Sequence, residues 1–163
     1  MNGRQLFPGL VVRRIGAGDG ERLRRLFERL SPETVYGRFF TRFPEPPPRL
    51  IEYLAAVDHH DHEGLVALEG DEIVAVARWD RRAGGGPEAD LSILVEDSWQ
   101  HRGLGLALVR MLTAEAARRG IAVLNATVLA ENHPARHLAT SVARPDSIVL
   151  DGPETFYTFS VAS

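Results

Sequence analysis

The chain has 163 residues, of which 44% are apolar, and a formal net charge of −3. That is one ordinary domain with enough apolar mass for its own core, and the charge argues against nucleic acid or an anionic membrane as the main partner. There is no cysteine, which excludes disulfides, thiolate metal sites and a cysteine nucleophile, and fits a reducing compartment.

No long apolar stretch follows Met1-Asn2-Gly3-Arg4-Gln5-Leu6-Phe7-Pro8, so no secretory leader is expected. No apolar run approaches the roughly 18 residues that a spanning helix needs. The expectation is a cytoplasmic protein folded as a single domain over residues 1–163.

After Pro8-Gly9, the run Leu10 to Ile15 predicts a first strand. Leu23, Leu26, Phe27 and Leu30 recur at helical spacing behind Asp19, an expected N-cap. Ser31-Pro32-Glu33 starts a second helix, with Ser as cap and Pro where its missing N–H costs nothing; Val35, Tyr36, Phe39 and Phe40 form its buried side. The proline run Pro44 to Pro48 breaks the chain, and Leu50, Ile51, Leu54 and Val57 predict a third short helix. Leu65–Leu68 and Ile73–Ala77 read as a hairpin around Gly70-Asp71. A glycine-rich loop at 84–86 leads to a fourth strand, Leu91–Val95. Leu104, Leu108, Met111 and Leu112 predict a helix that stops at Gly120. A strand over 121–129, a short helix from Asn132, and strands around Ile148–Leu150 and Thr155–Phe159 complete the chain. The sum is an α/β (α+β) fold, a mixed sheet with helices on both faces.

The chemically informative stretch is Val95 to Gly105, where a strand runs into a turn holding Gly103 and Gly105, and a long helix begins. Such a turn gathers backbone N–H groups, and the helix N-terminus adds partial positive charge: an anion site suited to a pyrophosphate. A dinucleotide fingerprint would need glycine or alanine at Leu108 and a place after the first strand. There is no Gly-x-Ser-x-Gly elbow for a serine hydrolase.

Gln100, Gly103 and Gly105, with Val95 at the strand end, resemble the acyl-CoA signature of the GNAT superfamily of N-acetyltransferases. Leu30-Ser31-Pro32-Glu33, Arg38-Phe39-Phe40, Leu65-Val66-Ala67, Glu72 to Arg78 and Val95 to Gln100 look like the bacterial protein-lysine acetyltransferase branch, so the resemblance spans roughly Leu10 to Leu138. It implies a mostly antiparallel central sheet of six to seven strands and acetyl-CoA as co-substrate. Backbone groups of Ile93, Leu94 and Val95 would pair with the pantetheine arm as an added strand. The segment Gln100, His101, Arg102, Gly103, Leu104 and Gly105 would hold the pyrophosphate, and an amide near Leu94 would polarise the thioester carbonyl. The acceptor implied is a primary amine, a protein lysine or a small molecule. Neither nucleic acid nor membrane is expected as a partner, and a homodimer is left open.

A lysine amine, with a pKa of about 10.4, must lose a proton before it attacks. The branch uses a Glu on the fourth strand; counting back from Gln100, that position is Asp90, with Glu88 as the substitute on the same face. The family's second signature is an Asn opening a helix with a Tyr seven residues on, which protonates the departing thiolate. Asn132 is present, either as a helix cap alone or as a cap that also contacts the pantetheine, but the Tyr position holds Ala139. A non-catalytic acyl-CoA-binding module is therefore the rival reading. Asp58-His59-His60-Asp61-His62-Glu63 is rich in ligand types but has no metal-site spacing, and no metal is expected.

Overall fold

The computed structural model describes residues 4, 5 and 7–161. Met1 to Gly3 and Leu6, part of the stretch in which a leader was sought, lie outside the described residues, as do Ala162 and Ser163.

The strands are β1 (Arg4–Gln5), β2 (Leu10–Arg14), β3 (His62–Glu69), β4 (Glu72–Arg81), β5 (Glu88–Val95), β6 (Val123–Leu129), β7 (Ser147–Asp151) and β8 (Glu154–Ser160). They form one sheet in the order β1-β2-β3-β4-β5-β6-β8-β7. Every neighbouring pair is antiparallel except β5 with β6. The seven longer strands are those that periodicity marks; β1 is a two-residue addition at the edge that no pattern announces. The fourth strand of the sequence reading is therefore β5.

The helices are α1 (Gly20–Glu28), α2 (Pro32–Phe39), α3 (Pro48–Ala55), α4 (Leu104–Arg118) and α5 (His133–Val142). Three cores explain the layering, the smallest joining Ala139 of α5 to Val128 of β6 and to Tyr157 and Phe159 of β8. On one face Leu104, Leu108 and Leu112 of α4 pack on Ala75, Ala77 and Trp79 of β4 and on Leu65 of β3. On the other, Leu23, Leu26 and Phe27 of α1, Val35 of α2 and Leu54 of α3 cover Val66, Ile73, Val76 and Leu94. The alternation of β strands sends successive residues to opposite faces, so Ile93 and Val95 join the first core and Leu94 the second.

Local signals act as expected at α2: Ser31 Oγ accepts from the Thr34 N–H at 3.1 Å, and Pro32 occupies the first turn. Asp19 occupies the expected N-cap position of α1, but its carboxylate makes no cap bond there. It takes a bidentate pair from Arg13 at 2.7 and 2.8 Å and the Gly16 N–H at 2.8 Å. A planar guanidinium meeting both oxygens outcompetes a neutral amide for the same acceptor.

Candidate active site

β5 and β6 pair only at their beginnings: Glu88 with Val123, Ala89 with Leu124 and Asp90 with Asn125. Beyond Asp90 the two strands part, while β5 stays paired with β4 as far as Val95 and β6 with β8 as far as Leu129. Leu91–Val95 and Ala126–Leu129 thus face each other across a wedge with no ladder between them. The wedge opens into a cleft of about 1570 Å³ that α2, α5 and the β5–α4 turn also line. A flexible polar chain can enter it and take up strand-like hydrogen bonds that β6 does not use.

At the wide end stands the turn. His101 and Gly103 are both left-handed, with φ of 62° and 83°. Glycine accepts that conformation freely at 103; His101 adopts it as an exposed, non-glycine residue. The amides of His101, Arg102, Gly103, Leu104 and Gly105 find no backbone acceptor among the described residues, whereas Gln100 N–H already binds Asp97 O at 3.2 Å. These free donors coincide with the N-terminus of the 15-residue α4, the arrangement that binds phosphates. Gly105 is there for space: a Cβ would meet Ile93 Cδ1 and Leu138 Cδ2, each at 3.3 Å.

The turn is tied to α2 through side chains. Gln100 Nε2 donates to Thr34 Oγ1 and to Val95 O, both at 3.0 Å. Asp97 accepts from the Ser31 N–H at 3.0 Å and the Thr34 hydroxyl at 3.1 Å. Burial alone would raise the Asp97 carboxyl, but these donors outweigh it and hold it below its ordinary value. Gln100 therefore shapes the turn through its side chain.

At the narrow end lies a polar cluster on the α2–α3 face. Asp90 lines the cleft, and its Oδ1 accepts from Arg82 Nε and Nη2 at 3.1 Å each. Asp80, its register partner on β4, also lines it. Asp80 was not singled out by sequence, because nothing in Arg78-Trp79-Asp80 distinguishes it from a solvated acid; only the β4–β5 register brings it to the site. Its Oδ1 accepts from Arg78 at 2.7 Å and stands 2.6 Å from His62 Nδ1, and its Oδ2 accepts from the Tyr53 hydroxyl at 2.8 Å. Burial pushes its carboxyl up, yet Arg78, His62 and Tyr53 together hold it below the ordinary value. Burial, followed by the bond to Asp80, raises the Tyr53 phenol despite the nearby Arg78 charge.

Of the residues marked by sequence, Asp90, Ile93, Leu94, Val95, Gln100, His101, Gly103, Leu104, Gly105 and Asn132 all line the one cleft. Two lie beside it. The Arg102 guanidinium stacks 3.8 Å from the Trp99 ring and reaches back to Ser98 O at 3.4 Å. Glu88 accepts through Oε2, from Arg82 at 3.0 Å and Asn125 Nδ2 at 3.2 Å. Asn132 caps α5, its Oδ1 accepting from Ala135 N–H at 3.2 Å. Its Nδ2 lies against Gly37, where a Cβ would approach to 2.9 Å. Ala139 is buried on α5. In the histidine-rich loop, Asp58 Oδ1 accepts three backbone amides, from His60, Asp61 and His62. His59 pairs with Glu63, and His62 with Asp80. Among the described residues no group of three or more such side chains converges on one point, and no helix is long and apolar enough to cross a membrane.

Residues 23–142 match the model of the acetyltransferase (GNAT) family. Acetyltransferase Pat of Mycolicibacterium smegmatis is 34% identical over 129 residues, covering 78% of this chain and 38% of Pat; the chain thus spans well under half the length of that relative. The GNAT domain of S. lividans PAT superposes with a TM-score of 0.87 at 30% identity, covering 93% of this chain and 90% of that one. The Salmonella typhimurium protein yncA, solved with its cofactor acetyl-CoA, shares the fold with a TM-score of 0.74 at 17% identity, over 94% of this chain and 95% of its own.

Proposed function

From the premise that this chain belongs to the GNAT acetyltransferase family, we propose that it moves the acetyl group of acetyl-CoA onto a primary amine, a protein lysine, by direct attack in a ternary complex. The observation that carries this reading is the wedge between β5 and β6, ending in a turn whose amides from His101 to Gly105 have no acceptor among the described residues. The free edge of β5 from Leu91 to Val95 would receive the pantetheine arm, and His101 to Gly105 the diphosphate. Asn132, its Oδ1 committed to the cap, has amide hydrogens left for the arm.

Asp90 is the base. It stands where the wedge closes, and its Oδ2 has no protein donor among the described residues. It takes the proton from the ammonium, directly or through one water; the neutral nitrogen then bonds to the acetyl carbon to give a tetrahedral oxyanion, which collapses as the carbon–sulfur bond breaks, and the nitrogen gives its second proton to solvent. A β5 amide stabilises the oxyanion. With Ala139 where an acid would stand, the sulfur leaves as thiolate, which a thiol of pKa about 8.5 tolerates. The likeness to Pat and to the S. lividans PAT domain supports the choice of a protein lysine. A chain without cysteine fits the cytoplasm.

The test is acetyl-CoA with a lysine-peptide panel and a small-amine panel, reading thiol release and product mass together. Acetylated peptide with one thiol released per acetyl supports the reading. CoA uptake without thiol release on either panel replaces it with the non-catalytic binding module.

A further inference from the structure

Two arginines that the acetyl-transfer chemistry does not use line the cleft: Arg42, which is exposed and lies 4.8 Å from the Tyr36 ring centre, and Arg38. Arg38, on α2, is half-buried and lines the cleft. Its one hydrogen bond among the described residues runs from Nη2 to Ser92 Oγ at 3.0 Å, and its guanidinium carbon lies 4.7 Å from the Phe39 ring centre. No carboxylate among the described residues pairs with it. Asp80, the carboxylate whose charge acts on Arg38, is taken by Arg78 at 2.7 Å, and Asp90 has one oxygen engaged by Arg82 at 3.1 Å. Burial lowers the Arg38 guanidinium from its ordinary value, with the Arg78 charge adding to that effect while Tyr53 and Asp80 oppose it. A guanidinium presents five donors in a planar fork, so an under-used one in a cleft favours an incoming anion with matching geometry.

We propose that Arg38 is a specificity-determining residue that takes a carboxylate of the acceptor, so that the amines acetylated best carry a carboxylate beside them. The proposal rests on the acetyl-transfer reading and names its substrate class. Strand geometry sets the spacing. Ser92, which positions Arg38, and Asp90, which meets the amine, are two residues apart on one face of β5 and so about 7 Å apart. An amine and a carboxylate separated by that span fit both points at once. A monoanion suits the place better than a phosphate dianion, because Asp80 and Asp90 share the face. Two sources supply this chemistry: an Asp or Glu side chain flanking a protein lysine, and the carboxylate of a free diamino acid.

The experiment uses two matched pairs: a lysine peptide flanked by Glu against the same peptide flanked by Gln, and free lysine against cadaverine, which is lysine without its carboxylate. Each is measured for kcat/KM and, with CoA present, for equilibrium affinity by calorimetry. The expected result is at least a tenfold preference for the carboxylate member of one pair, expressed in KM and in affinity. Arg38→Met erases that preference and Arg38→Lys keeps part of it, with unfolding midpoints showing that both variants fold. The pair that shows the preference identifies the source. Equal values within both pairs, or a preference that survives Arg38→Met, overturn the proposal. Absence of turnover with every amine refutes acetyl transfer instead, and the affinity comparison still decides the role of Arg38.

Discussion

Asp80 and Asp90 are register partners on β4 and β5 and share one face of the sheet, yet only Asp90 keeps a carboxylate oxygen without a protein donor among the described residues. Both oxygens of Asp80 are engaged, by Arg78, His62 and Tyr53. Asp80 thus orders the narrow end of the cleft, and the free oxygen of Asp90 is what supports its proposed role as the base.

Opposite effects of the two alanine variants follow. Asp90→Ala lowers kcat at least tenfold with coenzyme affinity unchanged, and costs under about 1 kcal/mol of stability because its pair with Arg82 is half-exposed. Asp80→Ala costs about 3 kcal/mol in urea unfolding, since it leaves the Arg78 guanidinium, 2% exposed, without its carboxylate. Steady-state rates and unfolding curves on the same preparations check both.

The turn offers a second test. Gly103 has φ of 83°, and forcing an L-residue into that conformation costs about 1–2 kcal/mol. Gly103→Ala lowers stability by that amount in urea unfolding. It also weakens CoA at least fivefold by calorimetry, because the amides of the turn no longer stay gathered.

A third concerns the meeting of α2 and α5. Gly37→Ala sets a Cβ 2.9 Å from Asn132 Nδ2 and displaces the cap of α5. Loss of an N-cap costs about 1 kcal/mol. The specific signature is faster hydrogen exchange at the Ala135 amide.

The fourth is a pH dependence. Three backbone amides hold Asp58 at a pKa of about 2, below the 3.8 of the free side chain. A carboxyl depressed on folding adds stability above its unfolded pKa and loses it as pH falls through the folded one. Asp58→Ala is therefore less stable than the wild type above pH of about 4, and the gap closes between about 4 and 2. Denaturant unfolding across that range reads it.

Periodicity and punctuation were sufficient for the seven longer strands and five helices, because Leu, Val and Ile at period 2 or 3.6 decide which faces must be buried. The turn was legible from Gly103 and Gly105, since few residues tolerate what they do there. What the sequence did not carry were relations between distant segments. The β4–β5 register brings Asp80 opposite Asp90, and the tie from Gln100 to Thr34 crosses 66 positions. The parting of β5 and β6 after three residue pairs leaves no local pattern at all. Asp19 misled for the opposite reason: its signal was local, and Arg13 offered a stronger partner.

The most direct test of the whole account is an amide NMR titration of the folded protein with CoA. The account predicts saturable, one-to-one shifts concentrated at His101, Gly103, Leu104 and Gly105 and along Leu91–Val95. Failure of CoA to bind, or binding that leaves those amides unmoved, contradicts it.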